Sequence, residues 1–445
     1  MTFEDTLATW LVKQRWFAGK GRTVHDLAVV ADTEIIPGDP GLRHLIVTVS
    51  HGATSDCYQL FVGYRARLPA RLRHARIGTH DGMQIYDGLH DADLTRELLD
   101  AMAAERTVGL LRFCRMPGTE LETGLDSLVL TGEQSNTSLV FGESAIFKVF
   151  RRVTAGPNPD LEVAVALTQL GSSHIAEPFG WVETRIDGAT AVLAILSRYL
   201  RAASDGWALA ATSVRDLYAT ADGTRAFEAG GDFGGEAERL GAASAQVHRD
   251  LADAFGHSEL EPEAIRELAE QMFRRLDLAI AAVPALAPHA DKVGDAYSRL
   301  AKLIEPIPAQ RVHGDYHLGQ VMRTQTGWVV LDFEGEPASP LAQRRARSSP
   351  LRDVAGMLRS FDYAARHQLV THPEAISLAA KAGDWVRRNG DAFCAGYAAA
   401  GGLDPAQNSV VLRAMLLDKA VYEVIYEARN RPTWVPIPLE SIAEL

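Results

Sequence analysis

Deep in a stretch of helical periodicity the chain breaks into "RVHGDYHLGQV" at 311–321, and after a short turn it runs through "WVVLDFEGEP" at 328–337. No other feature constrains the fold as strongly. Gly314 and Gly319 permit a tight backbone turn. The apolar run before Asp332 is too short for a stable helix and reads as a strand that ends at that carboxylate. Asp315 stands five residues before Gln320. One loop and its neighbouring strand therefore carry a carboxylate, an amide and a second carboxylate. The amide oxygen of Gln320 and the carboxylate of Asp332 are hard oxygen ligands suited to Mg2+.

Upstream the pattern is different. Phe3, Leu7, Trp10, Leu11 and Phe17 recur near helical spacing. "HLIVTVSHG" and "SDCYQLFVGYRARL", joined at "GAT", alternate apolar and polar residues and predict a hairpin with one wet face. Residues 91–106 predict a helix with aspartates near its start. Residues 128–152 read as strand, polar turn, strand, Gly-Glu-Ser turn and strand. A helix is expected over 158–171, with Pro159 in its first turn and Gly171 at its end, and an apolar strand over 190–200. From Trp207 onward helical patterns dominate. A chain of 445 residues exceeds one ordinary core. The layout is β-rich first, then a small mixed lobe, then a large helical one.

Charge narrows the partners. A formal charge of −12 argues against nucleic acid and anionic membranes, which need clustered positive charge. The short run "RRARSS" at 344–349 reads as a solvated loop. Cys57, Cys114 and Cys394 match no metal spacing and fit a reducing compartment. No secretion signal is visible at the N-terminus, and no apolar run is long enough to span a bilayer. A cytoplasmic location is the expectation.

The polar loop suits phosphoryl transfer, which needs a phosphate cradle, a fixed cation, divalent metal, and a base for the acceptor hydroxyl. Asp315 is the candidate base, and Gln320 and Asp332 are the candidate metal ligands. Lys148 lies inside the strand "AIFKVFRR", where an ammonium is costly without an anionic partner. ATP phosphates and Glu162 of the next helix would serve. "GEQSNTS" at 132–138 lies where a phosphate-covering loop belongs, with Ser135, Asn136, Thr137 and Ser138 as donors. The strand ending "LSRYL", with Ser197 and Tyr199, is where a hinge offers backbone groups to adenine.

The chain resembles the aminoglycoside-phosphotransferase and choline-kinase group of eukaryotic-like kinases, and within it the actinobacterial maltokinases. The likeness is carried by "QRWFAGKGR", "EQSNTS", "FKVFRRV", "NPDLE", "DGWALA", "GGDFGGEAERLG", "RVHGDYHLGQV", "LDFEGEP", "SPLRDVAGMLRSFDYAA", "DKAVYE" and "YEARNRPTWVPIPL", in order along nearly the whole chain. It implies an α+β, bilobal kinase fold with an added β-rich cap. Residues 1–90 would be the cap, 91–204 an intermediate region and small lobe, and 205–445 a mainly helical lobe. It implies ATP and Mg2+ as cofactors, and maltose, giving maltose 1-phosphate, as the product-forming acceptor. Glucosamine kinases are close relatives, so glucosamine stays open as the sugar, and a catalytically inactive nucleotide-binding regulator is the alternative of another class. Gln320 replaces the asparagine of the wider group, as in maltokinases. A complex with trehalose synthase is a further implication of the resemblance.

For the sugar, "YEVIYEARN" places Tyr422 and Tyr426 on one helix face, and Glu423 and Glu427 likewise four apart. With Arg429 and His317 these are the substrate candidates. His313 reads as a brace for the loop, as do Arg352 and Asp353, and His248 as a helix-packing residue. Glu334 and Glu336 are candidates for holding water around the metal. "GDFGG" at 231–235 contains the metal motif of protein kinases, but it precedes the loop that a metal aspartate must follow. Asp232 is therefore expected to cap a helix or connect elements.

Overall fold

The computed structural model describes residues 2–20, 22, 24–52, 54–130, 135–336 and 339–445. Two compact units are present, one of residues 1–165 with 176–201, the other of residues 166–175 with 202–445.

The first unit opens with α1 (Phe3–Leu11), started by a reciprocal cap in which Thr2 and Asp5 each bond the other's backbone. Five strands follow: β1 (Asp26–Ile36), β2 (Gly41–His51), β3 (Thr54–Arg65), β4 (Arg76–His80) and β5 (Met83–Asp87). They form an antiparallel sheet in the order β1-β2-β3-β5-β4. The expected wet face is absent. Leu45, Val47 and Val49 pack with Leu7 and Leu11 of α1, while Leu42, Ile46 and Phe61 join a second core with Phe113, Phe141, Phe147 and Leu193. Alternation misled because His44 and Gln59 also turn inward, and the Gln59 amide bonds the carbonyls of Phe150 and Leu193 at 2.8 and 2.6 Å.

That second core is shared with a second sheet. Helix α2 (Ala92–Ala103) precedes β6 (Thr107–Val108), β7 (Leu111–Arg115), β8 (Ser127–Val129), β9 (Thr137–Phe141) and β10 (Ala145–Val149). After α3 (Pro159–Gln169) come β11 (Pro178–Ile186) and β12 (Ala189–Arg198), completing an antiparallel sheet ordered β6-β7-β11-β12-β10-β9-β8. Strands β4, β5, β7 and β11 went unread in the sequence.

The second unit holds β13 (Ser204–Asp205), α4 (Gly206–Tyr218), α5 (Gly234–Phe255), β14 (His257–Leu260), α6 (Pro262–Ala282), α7 (Ala290–Ala301), β15 (Ile307–Gln310), β16 (Val321–Arg323), β17 (Trp328–Val330), α8 (Leu341–Arg344), α9 (Leu351–Arg366), α10 (Ala375–Ala399), α11 (Ser409–Asn430) and α12 (Pro436–Glu444). Helix α9 is its axis: nearly every residue from Leu351 to Arg366 is buried. Two close approaches set the helix packing. A Cβ on Gly241 of α5 would lie 2.1 Å from the Phe393 carbonyl oxygen, and one on Gly396 of α10 would lie 2.0 Å from that of Glu238. Asp232 caps α5 through the Gly234 N–H at 3.1 Å and pairs with Arg388 of α10, as its position predicts.

Candidate active site

In the second unit the polar loop is held from beneath. Asp353, buried at the start of α9, accepts the N–H groups of His313 at 2.7 Å and Gly314 at 2.9 Å. His248 Nε2 lies 3.1 Å from the same carboxylate, and its Nδ1 lies 2.7 Å from the Tyr397 hydroxyl. A carboxylate only accepts, so Nε2 carries a proton and donates to Asp353. Burial opposes the Asp353 charge, but the bonds from His248 and the loop backbone outweigh it and hold the carboxyl below its ordinary range.

His313 follows the same logic. Its Nε2 lies 2.8 Å from the Leu331 carbonyl, so Nε2 donates and Nδ1 accepts the Asp315 N–H at 3.3 Å. The ring therefore ties the base candidate to the strand end before Asp332. His317 bonds the Gly319 N–H through its side chain at 3.1 Å and caps the short turn Leu318–Gln320. Burial holds its imidazole below the ordinary range. Its Nδ1 is thereby committed to the loop. Two glycines let helices touch this backbone: a Cβ on Gly356 of α9 would meet the Tyr316 oxygen at 2.5 Å, and one on Gly206 of α4 the Leu318 oxygen at 2.8 Å.

Gln320 and Asp332 are brought together, the amide Nε2 lying 3.3 Å from Asp332 Oδ2. Asp332 has φ +64°, a left-handed conformation uncommon for a side chain of this size and concentrated at functional sites. The Leu331 N–H bonds the Gln320 carbonyl at 2.8 Å and fixes the register of loop and strand. An amide and a carboxylate converging in this way offer the oxygen donors Mg2+ requires.

A residue that sequence reasoning missed stands beside Asp315. Lys419 of α11 places Nζ 3.4 Å from Asp315 Oδ1 and 3.8 Å from Glu336 Oε1. Burial opposes its charge, yet the carboxylates of Asp315, Glu336 and Glu423 hold it above the ordinary lysine range. The only signal was its place in "DKAVYE". The acidic substrate candidates are differently placed from what their spacing suggests. Glu423 is buried and bonded to Arg359 at 2.9 Å; Glu427 is 1% exposed and closed by Arg431 and Tyr363. Tyr422 and Tyr426 stack with centroids 6.2 Å apart, Tyr426 exposed. Arg429 follows at the exposed end of α11.

In the first unit, Lys148 on β10 lies 3.2 Å from Asp160 Oδ2, with 19% and 14% of the two side chains exposed. The sequence reading named Glu162, two residues on in the same first turn of α3, and missed Asp160. Asn158 caps that turn through the Leu161 N–H at 3.0 Å. Residues 132–134 of the phosphate-loop candidate lie outside the described residues. Ser135 is exposed and Asn136 half-buried. Thr137 and Ser138 begin β9 and are buried; the Thr137 hydroxyl accepts from Arg151 Nε at 2.8 Å, and Ser138 stands opposite Lys148 in the ladder. Ser197 of β12 pairs with Ile146 of β10, and the Tyr199 N–H is taken by the Ser144 carbonyl at 2.9 Å.

Comparison with known proteins accords with this arrangement. Residues 10–91 match the maltokinase N-terminal cap domain, and residues 209–336 match the phosphotransferase enzyme family. A glucosamine kinase of Streptacidiphilus jiangxiensis is 30% identical over 348 residues, 73% of this chain and 76% of that protein. Another from Mycolicibacterium smegmatis (strain ATCC 700084 / mc(2)155) is 29% identical over 324 residues, covering 71% and 78%. A solved glucosamine kinase, in complex with glucosamine, ADP and inorganic phosphate, shares the fold with TM-score 0.69 at 22% identity, over 100% of this chain and 99% of that one. No helix among the described residues is long and apolar enough to cross a membrane. The cap match, the phosphotransferase match and the shared fold agree, and the chain belongs to the capped sugar-kinase family of phosphotransferases, ATP- and Mg2+-dependent enzymes with a sugar hydroxyl as acceptor.

Proposed function

We propose that the chain transfers the γ-phosphoryl group of ATP to maltose, giving maltose 1-phosphate. The observation that carries the chemistry is the convergence of Gln320 and Asp332 on the strand that His313 ties to Asp315. Asp315 takes the proton of the acceptor hydroxyl as its oxygen bonds to phosphorus. The bond from phosphorus to the β–γ bridging oxygen breaks, and ADP leaves with the electron pair. Gln320 and Asp332 are the residues that would hold Mg2+, which when bound neutralises charge on the phosphate oxygens. Lys148, with Asp160 or Glu162 behind it, serves the phosphates, and Ser135 and Asn136 are the open side chains of the covering loop. The anomeric hydroxyl of maltose is more acidic than an ordinary alcohol, which lightens the work asked of Asp315.

The match of residues 10–91 to the maltokinase cap favours maltose. The relatives at 30% and 29% identity favour glucosamine as the second reading. An ATP-consumption screen over maltose, glucosamine, glucose, trehalose and aminoglycosides, with phosphorus NMR locating the ester, separates them. Turnover with maltose and a 1-phosphate product is the expected result. Turnover with glucosamine alone replaces it.

A further inference from the structure

A protonated amino sugar is favoured by carboxylates near its ammonium, and two stand together around Lys419, those of Asp315 and Glu336. The chain's own lysine already stands there. Lys419 Nζ lies 3.4 Å from one carboxylate and 3.8 Å from the other, with 27% of its side chain exposed. The neighbouring charges do not free it. Glu423 is committed to Arg359 at 2.8 Å, and Arg352 approaches Glu336 at 3.9 Å from α9. The Tyr422 ring lies 5.0 Å beneath the ammonium and steadies it.

We infer that Lys419 is a specificity-determining residue that takes the place of a substrate ammonium and selects neutral sugars as acceptors. An acceptor entering beside Asp315 meets a fixed positive charge with N–H groups to give. Hydroxyl oxygens of a neutral sugar accept from it, whereas an ammonium has no lone pair to offer and is repelled. On a hexosamine ring the ammonium is only a few bonds from any hydroxyl presented to the base, so the repulsion acts in every productive pose. This rests on the sugar-kinase reading of the site and adds to it a reason for the choice of sugar.

The test compares kcat/KM for maltose, glucose and glucosamine in the full-length wild type, Lys419→Gln and Lys419→Arg. Neutral-over-amino discrimination is expected to fall at least about tenfold in Lys419→Gln, less than like-charge repulsion across a partly solvated gap supplies. It should persist in Lys419→Arg. The change should appear as a lower KM for glucosamine with the KM for ATP unmoved, which general loosening of the site would not produce. Unaltered discrimination in Lys419→Gln, with wild-type melting temperature and ATP KM, overturns the role of Lys419 and leaves the maltose reading standing. A wild type that prefers glucosamine overturns both. Preference for a neutral sugar other than maltose overturns the maltose reading alone and supports Lys419 selection. The wild type supplies a check that needs no variant. Raising the pH until glucosamine loses its proton should raise its kcat/KM relative to maltose, and a flat ratio counts against the inference. Among the described residues, the charged or titratable groups around Lys419 in that experiment are Asp315, His317, Glu336, Glu423, Arg352 and Tyr422.

Discussion

At the scale of single residues, the proposed base and the groups that hold its loop make separable predictions. Asp315→Asn should lower transfer by about 10²–10⁴, the range general-base catalysis supplies, with ATP affinity held, as read by single-turnover kinetics and nucleotide binding. Asp353 acts through the loop rather than on substrate. Its replacement by alanine strands His248 and two backbone donors in a buried site, a loss of about 3–5 kcal/mol for a broken buried pair, read by denaturant unfolding. Its carboxyl titrates below the ordinary value when folded. The stability it contributes is therefore complete above about pH 4, near the unfolded value, and is lost as pH falls through the lower folded value. Unfolding of the wild type should steepen in that acid window, and Asp353→Asn should flatten it. Asp315, Gln320 and Asp332 could be grouped as candidates because their spacing lies within one loop and strand. Lys419 was not, because its partner is 104 positions away and no local pattern marks it.

Among the elements, the helices were readable from their periodicity, but their closest contacts were not. Within a sequence a helical glycine signals only a cost. Here Gly241 and Gly396 let α5 and α10 meet backbone to backbone. Gly396→Ala should lower stability by about 1–3 kcal/mol through overpacking, visible as a lower melting temperature; an unchanged value would remove the argument. Gly356 plays the corresponding part for the loop at 311–321, proposed to be catalytic, where the Tyr316 carbonyl occupies the space a Cβ would need. Gly356→Ala should therefore lower kcat more than it raises the KM for ATP. The β2–β3 hairpin shows the reverse failure. Its alternation was real, but polar His44 and Gln59 serve a buried face, which alternation alone reads as wet.

For the molecule as a whole, the cap and small lobe are one folded body within the first unit. The Gln59 N–H bonds the Arg151 carbonyl at 2.9 Å, and the Gln59 side chain reaches β12 as well. Arg151 is 1% exposed and joins Asp87 of β5 at 2.5 Å to Thr137 of β9 at 2.8 Å. Removing one partner leaves a buried unpaired charge, so Asp87→Ala should cost about 3–5 kcal/mol. Cap and small lobe should then unfold together at lower denaturant, in a single transition for that unit. Independent melting of the cap would contradict the shared core.

What the sequence determined by itself was a local pattern: a carboxylate, an amide and a second carboxylate spaced within one short loop and strand, inside a helical second half. Such signals are local, and local geometry follows from residue types a few positions apart. Tertiary structure alone decided which charges meet. Lys419 stands against Asp315, Asp160 beside Lys148, Arg359 across Glu423 and Asp353 beneath the loop at 311–321 because burial forces each charge to find a partner. The nearest partner in space is set by packing, not by position along the chain.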